Sequence, residues 1–280
     1  MSRFDRIRNS LIPGTSDLRR GGGHRPLLLV KSPVSILLAA VALVAVAAPA
    51  ALAHTVQPNH VVVAIIDTGV TPTTQLASRM LPGWDFIDND AKAADENGHG
   101  TELASIVVAQ CPRCSILPVR VLGRSGLGSA TLAIEGIQWA VAHGADVINL
   151  SMTTPSDNPD LTAAVEAAVA AGVTTVVAAG NSGAPMGYPA ATATDAIAVA
   201  SVDQLGQLYS WSNFGPWVDV KAPGTLMAKT MKGRNVSATG TSASAAFVTG
   251  TAGRLLGCQP LLTPAEVSTQ LGASLLVSAC

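Results

Sequence analysis

The chain has 280 residues, a length that suits one large domain or two small ones. Its 17 lysines and arginines nearly balance its 18 aspartates and glutamates, which gives a formal net charge of −1. Because the sequence has neither a basic excess nor a basic stripe, we expect no nucleic-acid partner.

The first 53 residues have the pattern of a secretory signal peptide. Residues 1–31 carry several arginines, residues 35–53 carry no charge, and this segment ends in Ala51-Leu52-Ala53. A positive region, an apolar region and a small-x-small ending are typical of a signal peptide, cleaved here after Ala53. The apolar run also approaches the ~20 residues that span a bilayer. An uncleaved membrane anchor is therefore the alternative, and membrane association is expected only in that case.

Residues 54–280 are long enough for a single domain with a full hydrophobic core. Apolar strand-like runs and helix-like runs alternate along them, and a Thr263-Pro-Ala-Glu266 capping box opens a last short helix. Strands are predicted at residues 61–66, 115–122, 146–152, 173–179 and 196–202, and helices at residues 130–143 and 161–171. This alternation predicts an α/β fold with a mostly parallel central sheet and helices on both faces. In such a sheet the binding crevice lies at the carboxyl ends of the strands.

Three motifs contain the residue types of a nucleophilic triad. Asp67 ends the apolar run 61–66, His99 lies between two glycines, and Ser242 follows Gly240-Thr241 at the start of a small-residue helix. A serine hydroxyl becomes a good nucleophile when an imidazole takes its proton, and a carboxylate fixes the tautomer of that imidazole. The chain order Asp, His, Ser is the order found in subtilisin.

With Asn181 in the segment 176–183 as a fourth motif, the sequence resembles the subtilisin-like serine proteases over about residues 61–257. It is most similar to the thermitase-like branch. The resemblance implies a three-layer subtilisin-like α/β fold, in which Asp67 orients His99, His99 is the general base, Ser242 is the nucleophile and Asn181 donates to the oxyanion. It also implies a polypeptide substrate and no cofactor for catalysis. We expect a monomer.

The resemblance also implies a substrate cleft with two edges that pair with an extended peptide, together with the walls of a specificity pocket. The implied positions are Gly123, Ser125, Gly126, Ser151, Met152, Thr153, Ala179 and Gly180. A cis proline is implied at Pro189. Three departures from the family pattern concern this region: Thr153-Thr154 in place of two glycines, Glu102 in place of histidine, and Ala243-Ser-Ala-Ala246 in place of Met-Ala-x-Pro. They predict altered specificity and turnover without loss of the triad.

Three carboxylates precede His99 and form a candidate calcium site. Asp85, Asp88 and Asp90 offer oxygen ligands, which calcium prefers, and the fourteen-residue interval from Asp85 to His99 is similar to that of the thermitase branch. A structural calcium ion bound by these residues is therefore one interpretation. A solvated acidic turn, partly neutralised by Lys92, is the other.

The four cysteines permit three disulfide pairings, and export would allow disulfides to form. The simplest pairing joins Cys111 to Cys114 and Cys258 to Cys280. A zinc site at Cys111 and Cys114 is disfavoured, because a second close pair of ligands is missing.

The sequence thus predicts a secreted serine endopeptidase that works through an acyl-enzyme on Ser242. The alternatives are a catalytically weak or inactive peptide-binding module, suggested by the altered pocket edge, and a membrane-anchored processing protease. An α/β-hydrolase esterase is disfavoured, since Gly-x-Ser-x-Gly is absent and the triad order differs. Only thirteen residues, 54–66, separate the expected cleavage site from Asp67, so we expect maturation without a folding prodomain.

Overall fold

The computed structural model describes residues 54–57 and 60–275. Contacts divide the chain into residues 1–49 and residues 50–280, and the second unit contains all the described residues. The predicted signal peptide and Cys280 therefore lie outside the described residues. Among the described residues, no helix has the length and apolar character needed to span a membrane.

Within the described residues the chain forms nine strands, five α-helices and one 3₁₀ turn at Ala77–Arg79. The strands are β1 (Val62–Asp67), β2 (Trp84–Asp85), β3 (Ser115–Arg120), β4 (Val147–Leu150), β5 (Thr174–Ala178), β6 (Ile197–Val202), β7 (Val220–Pro223), β8 (Thr225–Lys229) and β9 (Asn235–Thr239). The helices are α1 (His99–Gln110), α2 (Ala130–Ala142), α3 (Pro159–Ala170), α4 (Thr241–Cys258) and α5 (Pro264–Ala273).

Seven strands form one parallel sheet in the order β2-β3-β1-β4-β5-β6-β7, and β8 pairs with β9 in a separate antiparallel hairpin. The central strand β1 is buried along its whole length, because both of its faces are covered. Successive side chains of a strand point to opposite faces. Val63 and Ile65 accordingly pack in the core with α1, α4 and α5, whereas Val62, Ala64 and Ile66 pack in the core with α2 and α3. The predicted three-layer α/β fold is confirmed.

Local signals in the sequence account for several helix boundaries. The Ser129 hydroxyl accepts a hydrogen bond from Leu132 N and caps α2. Thr263 and Glu266 form the predicted capping box at the start of α5. Helix α4 has no charged face, and most of its alanine, glycine and threonine residues are buried, so it runs through the interior beneath the sheet.

Two further predictions concern covalent features of the described residues. Cys111 and Cys114 form a disulfide, as predicted. The Tyr188–Pro189 peptide bond is cis, as the resemblance implied. The second predicted bridge requires Cys280 and stays a prediction.

Candidate active site

Asp67 is the last residue of β1 and is completely buried. Its Oδ1 accepts hydrogen bonds from His99 Nδ1 and from Thr68 N, each 2.8 Å long. Its Oδ2 has no hydrogen-bond partner among the described residues. A buried carboxylate beside a histidine fixes the orientation of the imidazole and stabilises its protonated form.

The turn before His99 is held by Asp95, a residue that the sequence analysis did not single out. Asp95 Oδ1 accepts from Gly98 N at 2.8 Å and from Thr68 Oγ1 at 2.9 Å, while its Oδ2 accepts from Thr101 N at 2.9 Å. Gly98, the residue before α1, has no side chain that could cap the helix. Asp95 therefore accepts from two amides at the start of α1, those of Gly98 and Thr101, and helps to hold the turn that carries His99.

Close packing between α1 and the end of β1 requires a glycine after the histidine. A Cβ atom on Gly100 would lie 2.2 Å from the Gly69 carbonyl oxygen and 3.3 Å from Asp67 Cβ. Because no side chain fits in this space, Gly100 allows the helix to approach the strand closely enough for the His99–Asp67 bond.

The surroundings of His99 raise its pKa above the ordinary value of 6.5. Burial alone lowers the pKa of His99, since it disfavours the charged form. The charge and hydrogen bond of Asp67, together with the negative charges of Glu102 and Asp95, more than offset that lowering. The imidazole is therefore a stronger base than a free histidine, as a general base requires.

Ser242 is the second residue of α4, whose preceding residue is Gly240. Its side chain is partly exposed, whereas Ser244 is completely buried and its hydroxyl is hydrogen-bonded to Ser201 and to the Pro223 carbonyl. The first turn of a helix also presents free amide groups and a positive dipole end, which favour a developing anion. Of the two serines, Ser242 therefore has the more accessible hydroxyl.

Asn181, in the turn after β5, is hydrogen-bonded to the residue before Ser242. Its Oδ1 accepts from Thr241 N at 2.8 Å and from Thr241 Oγ1 at 3.0 Å, and Thr241 Oγ1 accepts from Gly180 N at 3.0 Å. Because the Thr241 N–H can only donate, the oxygen of the Asn181 amide faces Thr241. Its NH₂ group is therefore available as a donor beside Ser242.

These elements bring the two halves of the predicted site to the same edge of the sheet. Asp67 ends β1 and Asn181 follows β5, which are parallel strands of one sheet, and α1 packs against α4. Within the described residues the Ser242 hydroxyl makes no hydrogen bond to His99. Catalytic hydrogen bonds are often long without substrate and tighten when the substrate binds.

A cleft of about 500 Å³ lies beside His99. Its lining includes five of the predicted substrate positions: Ser125, Gly126, Ser151, Met152 and Thr153. Gly123, Ala179 and Gly180 do not line it; Ala179 is completely buried. Asn97 Nδ2 donates to the Arg124 carbonyl at 2.9 Å and so joins the turn before His99 to the segment 123–126.

Comparison with known proteins identifies the family. A profile described as the Subtilase family matches residues 59–275. The chain belongs to the subtilase family of serine peptidases. The family that the four motifs predicted is therefore confirmed.

Individual relatives of this subtilase agree with that assignment. Thermitase from Thermoactinomyces vulgaris is 42% identical over 207 residues, which cover 69% of this chain and 74% of thermitase. A thermophilic serine proteinase from Bacillus sp. (strain AK1) is 39% identical over 205 residues, 69% of this chain, and the chain spans about half (51%) of its length. The crystal structure of a cold-adapted subtilisin-like serine proteinase aligns with a TM-score of 0.73 at 32% identity, covering 76% of this chain and 81% of that chain.

One residue missed by the sequence analysis organises the turn that carries Asn181 in this subtilase. Asn213 Oδ1 accepts from Ser182 N and Ala184 N, and its Nδ2 donates to the carbonyls of Ala179 and Met186. One side chain therefore satisfies four backbone groups of residues 179–186. An asparagine 32 residues away along the chain carries no local signal of this role.

The three carboxylates predicted to bind calcium do not assemble into a metal site. The carboxylates of Asp85 and Asp88 bond the guanidinium of Arg120, and Asp90 Oδ1 accepts from Lys92 N. Asp85 Oδ1 accepts two backbone N–H groups. Among the described residues no group of three or more His, Cys, Asp or Glu side chains could hold a metal ion. The sequence analysis did not single out Arg120, whose positive charge lies between the carboxylates of Asp85 and Asp88.

Proposed function

We propose that this subtilase is a secreted serine endopeptidase that hydrolyses peptide bonds through an acyl-enzyme on Ser242. The observation that carries the proposal is the 2.8 Å bond from His99 Nδ1 to the buried Asp67 carboxylate. With Nδ1 donating to Asp67, Nε2 is the unprotonated nitrogen that can accept the serine proton.

In the acylation step Ser242 Oγ attacks the carbonyl carbon of the scissile peptide bond while its proton passes to His99 Nε2. The Asn181 NH₂ group and the Ser242 backbone N–H donate to the oxyanion that forms. The protonated His99, stabilised by Asp67, then gives its proton to the leaving amine, and the C–N bond breaks. Water then enters and its oxygen bonds to the acyl carbon while His99 Nε2 takes its proton. The bond between that carbon and Ser242 Oγ breaks, His99 returns the proton to Ser242 Oγ, and the acid product leaves.

The cleft geometry supports a polypeptide as the substrate. Residues 125–126 and 151–153 line the cleft beside His99, and an extended peptide can bind in such a cleft through its backbone. Thr154 N donates to the Tyr188 carbonyl at 3.0 Å. Thr154, one of the residues that departs from the family pattern, is therefore held in place by a backbone hydrogen bond. We attribute altered specificity, not inactivity, to this departure.

Export is proposed from the pattern of residues 1–53, and the mature protein is proposed to be a monomer.

Labelling with a fluorophosphonate, followed by mapping of the modified residue, tests the proposal. We expect the label on Ser242 and no label in S242A. S242A, H99A and D67N should each reduce peptide hydrolysis by about 10⁴-fold or more, and a double variant should lose little beyond the worse single one, because the three groups act as one unit.

Wild-type protein that takes up no label and cleaves no peptide would favour the inactive peptide-binding module instead. Sequencing the N-terminus of the exported protein separates the soluble form from the anchored one. A mature chain that begins at His54 supports secretion. A mature chain that still contains residues 35–53 supports the membrane-anchored protease.

A further inference from the structure

A single guanidinium connects the carboxylates of the loop that precedes His99. Arg120, at the end of β3, has a side chain that is only 5% exposed. Its Nη1 donates to Asp85 Oδ2 at 2.5 Å and to Asp88 Oδ2 at 2.9 Å, and its Nη2 donates to Glu96 Oε2 at 2.9 Å. One cation therefore joins three points of the segment 85–96.

The three contacts differ in burial and hence in function. The Asp85 side chain is 1% exposed, whereas those of Asp88 and Glu96 are 63% and 55% exposed. Asp85 and Arg120 compensate each other's charge in the interior, and neither tolerates loss of its partner. Exposed ion pairs add little stability. The planar fork of an arginine nevertheless fixes the direction of each partner, so the two exposed contacts are suited to holding the loop in place.

The segment that Arg120 holds leads directly into the active site. Arg120 is the register partner of Asp67 across β1 and β3. Glu96 is adjacent to Asp95, whose carboxylate accepts from the amides of the turn that opens α1. A continuous set of contacts therefore runs from the sheet position beside Asp67, through Arg120 and Glu96, to the start of the helix that carries His99.

The same oxygens are not available to a divalent cation. Calcium takes about six to eight oxygen ligands, but Asp85 Oδ2 and Asp88 Oδ2 each accept from Arg120, and Asp85 Oδ1 accepts from Ile87 N and Asp88 N. The guanidinium supplies both the positive charge and the hydrogen-bond donors that these oxygens need.

We propose that Arg120 is a positioning residue that cross-links the segment 85–96, as a bound cation would, and thereby sets the position of His99 relative to Asp67. The role in catalysis rests on the proposed function. The cross-link itself does not, and its effect on His99 can be measured without substrate.

The first test is E96Q, which removes the negative charge from the contact nearest to His99 along the chain and is made at an exposed side chain. We expect kcat to fall about tenfold with KM within about twofold, because a small displacement of the base affects the chemical step more than binding. The NMR resonance of the His99 Nδ1 proton should shift. E135Q, the same substitution on the exposed surface of α2, is the matched control and should change neither quantity. An E96Q variant with wild-type kcat and an unchanged resonance would overturn the proposal.

The second test measures the melting temperature in calcium chloride and in chelator. The wild-type value should be the same in both, whereas R120A should melt at a lower temperature and recover part of the loss in calcium, since its three carboxylates then lack a cation. R120K keeps the charge but not the fork, so it should recover stability more than kcat, and it replaces R120A if that variant does not fold. A wild-type melting temperature that rises in calcium would contradict the proposal. If the wild-type protein takes up no serine probe but the E96Q variant shows the expected resonance shift, only the proposed function is refuted.

Discussion

Replacing Thr241 by valine tests how the Asn181 amide is held. The Thr241 hydroxyl donates to Asn181 Oδ1 and accepts from Gly180 N, both at 3.0 Å, while the backbone N–H of Thr241 makes a separate 2.8 Å bond to the same oxygen. Valine keeps the shape of threonine and the backbone bond but removes both hydroxyl contacts. Asn181 then retains one of its two bonds, and the buried Gly180 N–H loses its acceptor.

The structure sets the size of both effects. Loss of a whole oxyanion donor reduces kcat by about 10²–10³-fold, a magnitude measured in subtilisin. Because T241V loosens the donor without removing it, we expect a reduction of about tenfold in kcat with KM nearly unchanged. A buried N–H group without an acceptor costs about 1–2 kcal/mol, which corresponds to a decrease in melting temperature of about 4 °C for a domain of this size.

Steady-state hydrolysis of a peptide substrate and thermal unfolding measure the two quantities on the same preparation. T251V is the matched control, because Thr251 is buried in the same helix and its hydroxyl bonds only the Phe247 carbonyl one turn earlier. It should leave kcat unchanged. If T241V lowers the melting temperature as expected but keeps wild-type kcat, the inferred link between Thr241 and the oxyanion donor is refuted.

Three further outcomes are expected. The acidic limb of the pH dependence of kcat/KM follows the raised pKa of His99 and lies above 6.5 in the wild type. E102Q should move this limb towards lower pH, because a negative charge that favours the imidazolium is lost. A limb that stays in place would show that Glu102 has no such influence. D146A removes a buried acceptor of two hydrogen bonds at the amino ends of the strands, so calorimetry should show a loss of about 2 kcal/mol while kcat, set at the opposite edge of the sheet, is unchanged. G180A places a Cβ 2.5 Å from Asn213 Nδ2 at a residue with φ of 103°, so activity should fall about tenfold or more as the Asn181 turn shifts; wild-type activity would contradict that reading of the turn.

Local patterns in the sequence determined much of the fold. The buried apolar run that ends at Asp67, the Ser129 cap and the Thr263 capping box each depend on residues that are close together along the chain, so each could be recognised without a structure. The hairpin β8–β9 and strand β7 were not predicted. Strand β7 has only four residues, and most residues of β8 and β9 are exposed or partly buried. The pairing of these strands depends on neighbours that only the folded chain supplies.

The motifs also identified the chemical groups of the candidate site, because the triad residue types and their chain order are written in the sequence. The sequence did not determine how those groups are held. Asn181 meets Thr241 from 60 residues away, and Asn213 joins a turn about 30 residues before it.

The acidic segment shows the difference most directly. Asp85, Asp88 and Asp90 look like metal ligands when only their own segment is considered, since carboxylates so close together need a positive partner. The partner of Asp85 and Asp88 is an arginine, which lies 32 residues after Asp88 at the end of a neighbouring strand. The sequence showed a cluster of carboxylates, and only the tertiary structure places a guanidinium against two of them, because β-sheet register, not chain proximity, brings Arg120 to Asp85 and Asp88.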